Sequence, residues 1–458
     1  MKQVYGAGVC LFFFLTGVLS GVEIGSAASE EEKRLDTIRY GTETEIASLI
    51  QTLKSENSAL MDEKLEAELI ALSQNTRNQN ILTGLLGFFG ERTKNGLEAR
   101  SLRAIEERDD EAHATVLAAI DYLGKVNALA AITPLEELLD TNEERYMDAA
   151  FRALGRAAKG NAGTRDQTAE YLLDFYTNRN PPDQNRREII VALGETGSKQ
   201  GVSLLSEIAE NNEERPVLRM AALEALSKIG DQTGLDPILQ ALSATDPNVR
   251  SSAVAALGPF SGSQADGAIL ESFRDSYYRT RIGAAKAAGE RKLSGAIPYL
   301  RYRAEYDEVP SVKDEAIKAL GAIGTAESKA VLDALFSERK TSDRVRLLSA
   351  EMLIGNDPGT YAEKVILELD EAKKKNQTAL YNGFLKVISG AKTGKVENLV
   401  RRFLNSGGII EKSYALDMAL TNELRSLAPE IRLLLEEKNS SLVRKARTTL
   451  EKLGLPAA

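Results

Sequence analysis

Tryptophan is absent from the 458-residue sequence, which contains one cysteine, one histidine and only 6% aromatic residues. Histidine and cysteine supply most of the metal ligands and many of the nucleophiles in enzymes. With His113 alone, no site built on two histidines can form within one molecule. No phosphate-binding glycine loop, Gly-x-Ser-x-Gly elbow or dinucleotide fingerprint occurs either. We therefore predict no metal, no cofactor and no enzymatic activity.

The composition is that of a folded, acidic protein. Hydrophobic residues are 43% and charged residues 27% of the chain, values that exclude disorder or membrane embedding along its length. The formal net charge of −9 repels the phosphates of nucleic acid. Nucleic acid is therefore not expected as a partner, and a protein partner is.

The first 28 residues have the pattern of a secretory signal peptide. Lys2 precedes an uncharged stretch from Val4 to Val22, and Ser26-Ala27-Ala28 offers small residues for cleavage after Ala28. We expect a periplasmic or secreted protein. The alternative is an inner-membrane anchor, because the uncharged stretch is nearly as long as a membrane span. Contact with a membrane is expected only through this segment, if it stays uncleaved. Cleavage would remove Cys10, so the mature chain could form no disulfide.

A repeat organises the middle of the chain. A Leu-Gly or Ala-Gly pair recurs, with its glycine at Gly124, Gly155, Gly194, Gly258, Gly289 and Gly321, and with Ser227 in the matching place between Gly194 and Gly258. Five of the six intervals between these positions are 31 to 33 residues, and the other is 39. A period of this length indicates stacked structural units.

Each unit contains two helical stretches. In the second, residues such as Ala316, Ala319 and Leu320 share one face. In the first, a proline such as Pro134 or Pro298 suits the opening turn. The glycine that closes the second stretch suits a left-handed helix exit. Two short amphipathic helices cannot bury their apolar faces alone, so neighbouring units are expected to stack.

These marks resemble HEAT repeats, in particular the HEAT-like variety of the PBS-lyase type. That variety has Ala-x-x-Ala-Leu-Gly-x-Ile-Gly and a closing Asp-x-x-Val-Arg, which Asp246 to Arg250 match and Asp343 to Arg346 resemble. The resemblance implies an all-α fold, an α-solenoid or superhelix of about twelve stacked antiparallel helix pairs. It also implies a structural ladder within and between units, formed by Asp246, Arg250, Asp343 and Arg346. Arg219 and Arg281 stand in the same place without an aspartate at that spacing.

The strength of the repeat varies along the chain and predicts its organisation. After the signal peptide at 1–28, we expect an N-terminal cap with divergent helical repeats at 29–112. HEAT-like repeats follow at 113–355, and divergent repeats with a C-terminal cap at 356–458. The run from Asn178 to Asp183 predicts a longer loop, and the run from Lys373 to Lys375 predicts an extended helix or its exit.

One stretch differs in charge from the rest of the chain. Residues 274–303 hold eight positive side chains and two negative ones, and four tyrosines lie among them. Arginine and tyrosine are enriched where proteins bind each other. The candidate partner-binding residues are Arg274, Tyr277, Tyr278, Arg279, Arg281, Tyr299, Arg301, Tyr302 and Arg303. The hypothesis is docking of an acidic partner. The alternative is that the tyrosine stripe of Tyr299, Tyr302 and Tyr306, which share a helical face, packs between units and that the arginines form a solvated face.

The function predicted from these features is a non-enzymatic protein-binding scaffold in the periplasm or envelope of a bacterium. Enzymatic HEAT-like proteins use sites that this chain lacks, such as the His-Glu pairs of hydroxylases or the tryptophan-lined cleft of DNA glycosylases. Two alternatives stay open. One is an enzyme subunit whose activity depends on a partner, and the other is a spacer in an envelope machine.

Overall fold

The computed structural model describes residues 30–56, 62–179 and 181–456. Within these ranges the chain is all-helical, with no β-strand, as the sequence predicts. None of the helices in the described ranges is both long enough and apolar enough to cross a membrane. The predicted signal peptide at 1–28 and its cleavage site lie outside the described residues.

The chain divides into two compact units, the first ending at Tyr122 and the second beginning at Leu123. The helices up to this division are α1 (Glu30–Tyr40), α2 (Glu43–Ser55), α3 (Glu63–Asn75), α4 (Gln79–Glu91), α5 (Glu98–Glu106) and α6 (His113–Lys125), which contains the division. Side chains fix several helix starts: Thr42 and Glu45 form a capping box, and Asp62 and Asn78 accept backbone N–H bonds.

The second unit continues with twenty helices. They are α7 (Ile132–Asp140), α8 (Glu144–Ala158), α9 (Ala162–Asn178), α10 (Asp183–Thr196), α11 (Val202–Glu210), α12 (Pro216–Ile229), α13 (Leu235–Ala241), α14 (Pro247–Ala256), α15 (Ser263–Ser272), α16 (Tyr278–Glu290), α17 (Ile297–Tyr306), α18 (Pro310–Ile323), α19 (Ala326–Ser337), α20 (Asp343–Asn356), α21 (Pro358–Lys374), α22 (Thr378–Ser389), α23 (Glu397–Ser406), α24 (Ile409–Thr421), α25 (Ala428–Leu433) and α26 (Ser440–Lys452). Ten packed pairs lie in the second unit, from α7–α8 to α25–α26, and α1–α2 and α3–α4 add two in the first, so the described residues show twelve packed pairs, as expected.

The second unit is built of two layers of helices. The second helices of successive pairs, α8 to α26 in even numbers, pack extensively on one another, whereas the first helices touch their counterparts less. Each first helix also packs against its own second helix, as α17 does against α18. This arrangement is the α-solenoid that the period predicts, because every pair buries its apolar faces on its neighbours.

The periodic glycines bring the second helices close together. Gly194 lies inside α10, and a Cβ atom there would lie 2.7 Å from the Cα atom of Ala225. A Cβ atom at Gly289 in α16 would similarly lie 3.0 Å from the Cα atom of Ala319. The expectation that these glycines form helix exits is therefore wrong for the glycines that lie inside a helix, such as Gly194 and Gly289, whereas Gly258 follows the end of α14 at Ala256. Some exits are made three residues later, for example by Gly197, whose φ of 68° lies in the left-handed region.

Two irregularities of the period are resolved differently. The predicted longer loop at Asn178 to Asp183 is wrong, because α9 runs to Asn178 and α10 already begins at Asp183. The additional residues lengthen α8 to 15 residues and α9 to 17 residues instead. The lysine run does extend a helix, since α21 ends at Lys374. The domain divisions predicted at 112–113 and 355–356 stay predictions.

Candidate partner-binding surface

A ladder of charged hydrogen bonds links the turn inside one helix pair to the turn inside the next pair. Arg250 on α14 donates Nε and Nη2 to the carboxylate of Asp275, at 2.8 and 3.0 Å. Arg281 on α16 donates the same two nitrogens to Asp307, at 2.8 and 2.9 Å. The Nη1 atom of each arginine donates to two backbone carbonyls of the turn before it. Each arginine thus joins its own turn to the turn of the next pair.

The aspartates of this ladder are not the predicted ones. Asp246 caps α14 by accepting the N–H of Asn248 at 2.7 Å, and Asp343 lies exposed in the first turn of α20. Arg346 bonds the carbonyl of Phe336 and, at 2.6 Å, the carboxylate of Glu368. The predicted arginines therefore serve the ladder, but their acidic partners come from the following pair.

The ladder carboxylates are held in their charged form. Burial by itself would raise the pKa of Asp307, but the hydrogen bonds from Arg281 and from the N–H of Val309 outweigh it and lower that pKa below its usual value. The pKa of Asp275 is lowered in the same way, against burial, by Arg250 and the N–H of Tyr277. Asp275, within the basic stretch, and Asp307, just after it, consequently keep the negative charges to which the ladder arginines bind.

Two predicted contact residues belong to this ladder. Arg281 is only 5% exposed, because its guanidinium is enclosed by Asp307 and two carbonyls. Arg303 donates to Asp307 at 3.3 Å and to the carbonyl of Phe273. Their assignment as partner contacts is corrected, since both guanidiniums already bind the Asp307 carboxylate and backbone carbonyls.

The other three arginines among the predicted contact residues face solvent. Arg274 is 64% exposed at its side chain and pairs with Glu271, which is equally exposed. Arg279 is exposed at the start of α16 and donates to the hydroxyl of Tyr278 at 3.2 Å. Arg301 is 61% exposed and uses only its Nε atom, toward Glu305 at 3.0 Å. Most of the hydrogen-bond donors of these three guanidiniums therefore point to solvent.

The tyrosines divide between packing and exposure. Tyr299 stacks on Phe273 of the preceding pair, with ring centroids 5.6 Å apart. Tyr302 and Tyr306 are 56% and 67% exposed and contact each other at 5.2 Å. Tyr277 is half-buried, and its hydroxyl donates to Asn248 at 3.1 Å. Packing between units thus explains Tyr299 but not Tyr302 or Tyr306.

The remaining candidates and Tyr306 lie in the α15–α16 turn, at the start of α16 and at the end of α17, beside the turns that the ladder joins. We refer to them as the edge surface, which consists of Arg274, Tyr277, Tyr278, Arg279, Arg301, Tyr302 and Tyr306. It spans the α15–α16 and α17–α18 pairs, whose turns Arg281 ties together through Asp307. Large aromatic and guanidinium groups on a fixed backbone are suited to protein recognition.

A groove continues the edge surface toward the next pair. Its volume is about 690 Å³, and it lies between α17, the start of α18 and the α19–α20 turn. Its polar walls are formed by Arg301, Glu305, Tyr306, Lys313, Lys340 and Thr341. The sequence analysis did not find Lys313 or Lys340, because both lie beyond the basic stretch and reach the groove only through the stacking of pairs.

The described residues offer little for metal chemistry. No group of three or more His, Cys, Asp or Glu side chains is placed to hold a metal ion in the part of the chain that the structure covers. His113 is the first residue of α6 and is exposed, as expected for a helix-start surface residue.

Comparison with known proteins gives a family and distant structural similarity. The profile of the family described as "Spirochaete HEAT repeat protein" matches residues 38–449. The solved structure of Kap121p is similar with a TM-score of 0.45 and 14% identity over 92% of this chain. Kap121p bound to the extreme C-terminus of the protein phosphatase Cdc14p has a TM-score of 0.45 and 13% identity over 92% of this chain. Kap121p bound to RanGTP has a TM-score of 0.42 and 14% identity over 93% of this chain. The chain spans about half of these proteins, 53% to 55% of their length. No curated protein sequence matches it significantly.

Proposed function

Since the chain belongs to the spirochaete HEAT repeat protein family, we propose that it is a non-enzymatic scaffold that binds a protein partner through the edge surface. The observation that carries this proposal is the exposed Tyr302–Tyr306 pair with Arg301 at the end of α17, next to a turn that the ladder holds in place. Such a surface offers contact area and hydrogen-bond donors that the fold itself does not use.

The rigidity of the edge favours binding. Immobilising a flexible side chain or loop at an interface costs about 0.5–1.5 kcal/mol for each long side chain. Here the turns are fixed by Arg250 and Arg281 before any partner arrives. The tyrosine rings have few rotatable bonds, and Tyr302 and Tyr306 already contact each other. Little conformational entropy is therefore left to lose when a partner docks.

The charge of the surface favours an acidic partner. The edge surface carries Arg274, Arg279 and Arg301 in a protein whose formal charge is −9. Local charge opposite to that of a partner accelerates encounter and selects its orientation. The partner should therefore present carboxylates, and its binding should weaken as salt is added.

The place of action is part of the proposal. The Lys2 and Val4 to Val22 pattern supports export to the periplasm or envelope. Fractionation of cells that produce the protein tests this directly. Recovery in the periplasmic fraction with an N-terminus at Ser29 would support export and cleavage, and recovery with the cytoplasmic proteins would contradict both.

The binding proposal is tested by changing only the exposed part of the surface. A variant with Arg279→Glu, Arg301→Glu, Tyr302→Ser and Tyr306→Ser leaves Arg281 and Arg303 in the ladder intact. We expect partner recovery after crosslinking in intact cells to fall at least about ten-fold, because hot-spot truncations cost about 2 kcal/mol or more. Unchanged recovery with this folded variant would refute the proposal.

A control variant makes three changes of the same kinds at exposed positions outside the edge surface, one tyrosine to serine and two basic residues to glutamate. Tyr40 is 81% exposed, Lys318 is 54% exposed at its side chain and pairs with Glu315, and Lys374 is 78% exposed and pairs with Glu371. The control variant is Tyr40→Ser, Lys318→Glu and Lys374→Glu. It should recover the partner as the unchanged protein does.

One observation favours a second candidate, the spacer. Ile409 and Ile410 on α24 and Leu433 on α25 are 57%, 59% and 63% exposed, and they lie on the last two helix pairs. Exposed apolar side chains at the end of a repeat array are suited to an end-to-end contact. Replacing all three with Ser should then abolish partner recovery, while the edge-surface variant keeps it.

A further inference from the structure

We infer that the groove beside the edge surface holds an extended, acidic segment of the partner, whose carboxylates recur at about every third residue. This inference rests on the proposed function, because it specifies which part of a partner the same edge would bind. It adds the α19–α20 turn to the surface and gives the bound segment a conformation and a charge spacing.

The walls of the groove supply cations on two consecutive pairs. Arg301 on α17 is 61% exposed, and its two Nη atoms make no hydrogen bond within the described residues. Lys340 in the α19–α20 turn is exposed and forms no ion pair with any carboxylate that the structure describes. Lys313 at the start of α18 donates its Nζ atom to the carbonyl of Glu305 at 2.8 Å. These groups retain donors for further carboxylates.

The negative charges in the groove are already engaged. Glu305 accepts from Arg301, and Glu338 accepts the backbone N–H of Lys340 at 3.0 Å. Each carboxylate therefore holds a wall of the groove in place. The lining contains three cations and two anions, which leaves it net positive in a chain with a formal charge of −9. An acidic occupant is the one that complements this charge.

The floor and rim favour an extended chain over a compact ligand. The floor is apolar and includes Ala304, Leu335 and Val345, all nearly inaccessible, with the exposed ring of Tyr306 at one rim. The groove opens onto the edge surface at Arg301 and Tyr306, which belong to both. A segment lying in it would thus continue along Tyr302 toward Arg279.

The spacing follows from the geometry of stacking. Packed helices lie about 8–10 Å apart. An extended chain in the polyproline II conformation rises about 3.1 Å per residue with three residues per turn, so side chains three residues apart share one face about 9 Å from each other. Cations on consecutive pairs, such as Arg301 and Lys340, are therefore matched by carboxylates about three residues apart. Residues between them can place small apolar side chains on the floor.

Synthetic peptides test this with the full chain. The probe is a nine-residue peptide of three Glu-Ala-Val triplets, and its control has the same composition with the three glutamates adjacent. We expect fluorescence anisotropy to give at least about ten-fold tighter binding of the spaced peptide, with affinity falling as salt is added. Lys340→Glu should weaken it about ten-fold, and Lys318→Glu less than two-fold. Equal binding of the two peptides, or no effect of Lys340→Glu, would overturn the inference.

A chemical crosslink locates the peptide. A carbodiimide joins lysine amines to carboxylates in direct contact, so the spaced peptide should couple to Lys340 or Lys313. Coupling only to lysines outside the groove would overturn the inference.

The partner itself separates this inference from the proposed function. If the edge-surface variant loses the partner and Lys340→Glu keeps it, the scaffold proposal stands and the groove inference fails. If neither change affects recovery, both fail. Loss with both variants supports both.

Discussion

Replacing Asp307 with asparagine would remove the carboxylate on which two arginines converge. The Asp307 side chain is fully buried and accepts from Arg281 at 2.8 and 2.9 Å, from Arg303 at 3.3 Å and from the N–H of Val309 at 3.0 Å. Asparagine keeps the size of the side chain but not its charge. The variant would leave Arg281, 5% exposed, as a buried cation without a counter-charge.

The expected loss of stability is large for a change that replaces one carboxylate oxygen by an amide nitrogen. Removing one partner of a buried ion pair costs about 3–5 kcal/mol, whereas an exposed pair contributes about 0–1 kcal/mol. The loss should remain local, because each helix pair contacts only its neighbours. Backbone amides of α16 to α18 should then exchange hydrogen about two to nearly four orders of magnitude faster, since each 1.4 kcal/mol is a factor of ten.

Hydrogen exchange with mass spectrometry measures this effect helix by helix. The control is Arg344→Ala, which removes an exposed partner of Asp314 on neighbouring helices and should change exchange less than ten-fold. A second variant, Asp307→Asn with Arg281→Met, should recover part of the protection, because an apolar replacement removes the unpaired cation. An Asp307→Asn variant that exchanges like the control would refute the structural role of the ladder.

Two further predictions concern stability. Because folding lowers the pKa values of Asp275 and Asp307, their stabilisation is present above the unfolded value near 3.8 and is lost as pH falls through the folded values. The loss of stability with falling pH below about pH 4 should therefore be shallower in Asp275→Asn with Asp307→Asn than in the unchanged protein, and equal slopes in both would contradict the assignment. Gly194→Ala should destabilise the protein by about 1–3 kcal/mol in urea denaturation, because its Cβ would meet the Ala225 backbone. Gly267→Ala in α15, which has open space around it, should instead stabilise the protein by about 0.5–1 kcal/mol. Similar effects of both changes would argue against close packing of the second helices.

The repeat architecture could be predicted from the sequence because its signal is periodic and local. One helix pair following another is indicated by the interval between Gly258 and Gly289 and by the apolar residues beside each glycine. The role of the glycines could not be predicted, since a glycine at a helix exit and a glycine at a helix crossing share the same spacing. Only the approach of Gly194 to Ala225 distinguishes them.

The binding surface could be predicted in outline but not residue by residue. A count of charges marks the stretch around Arg279, yet it does not reveal that Arg281 and Arg303 both bind the carboxylate of Asp307. One sequence signal does exist, since Asp275 precedes the ladder arginine Arg281 by six residues, as Asp307 precedes Lys313.

The groove could not be predicted from local patterns at all. Arg301 and Lys340 form opposite parts of its wall although 38 residues separate them in the sequence. They come together because α17 and α19 lie in adjacent pairs, and the α19–α20 turn carries no composition signal of its own. Such sites depend on how pairs stack rather than on any one repeat.

The most direct test of the central claim is site-specific photo-crosslinking in intact cells. A photoreactive residue in place of Tyr302 reports contacts of the edge surface, and the same residue in place of Tyr40, which is more exposed at 81% against 56%, reports background. The account predicts one reproducible protein partner crosslinked at position 302 and not at position 40, through a segment rich in Asp or Glu. No crosslinked protein at position 302, or the same proteins at both positions, would contradict it.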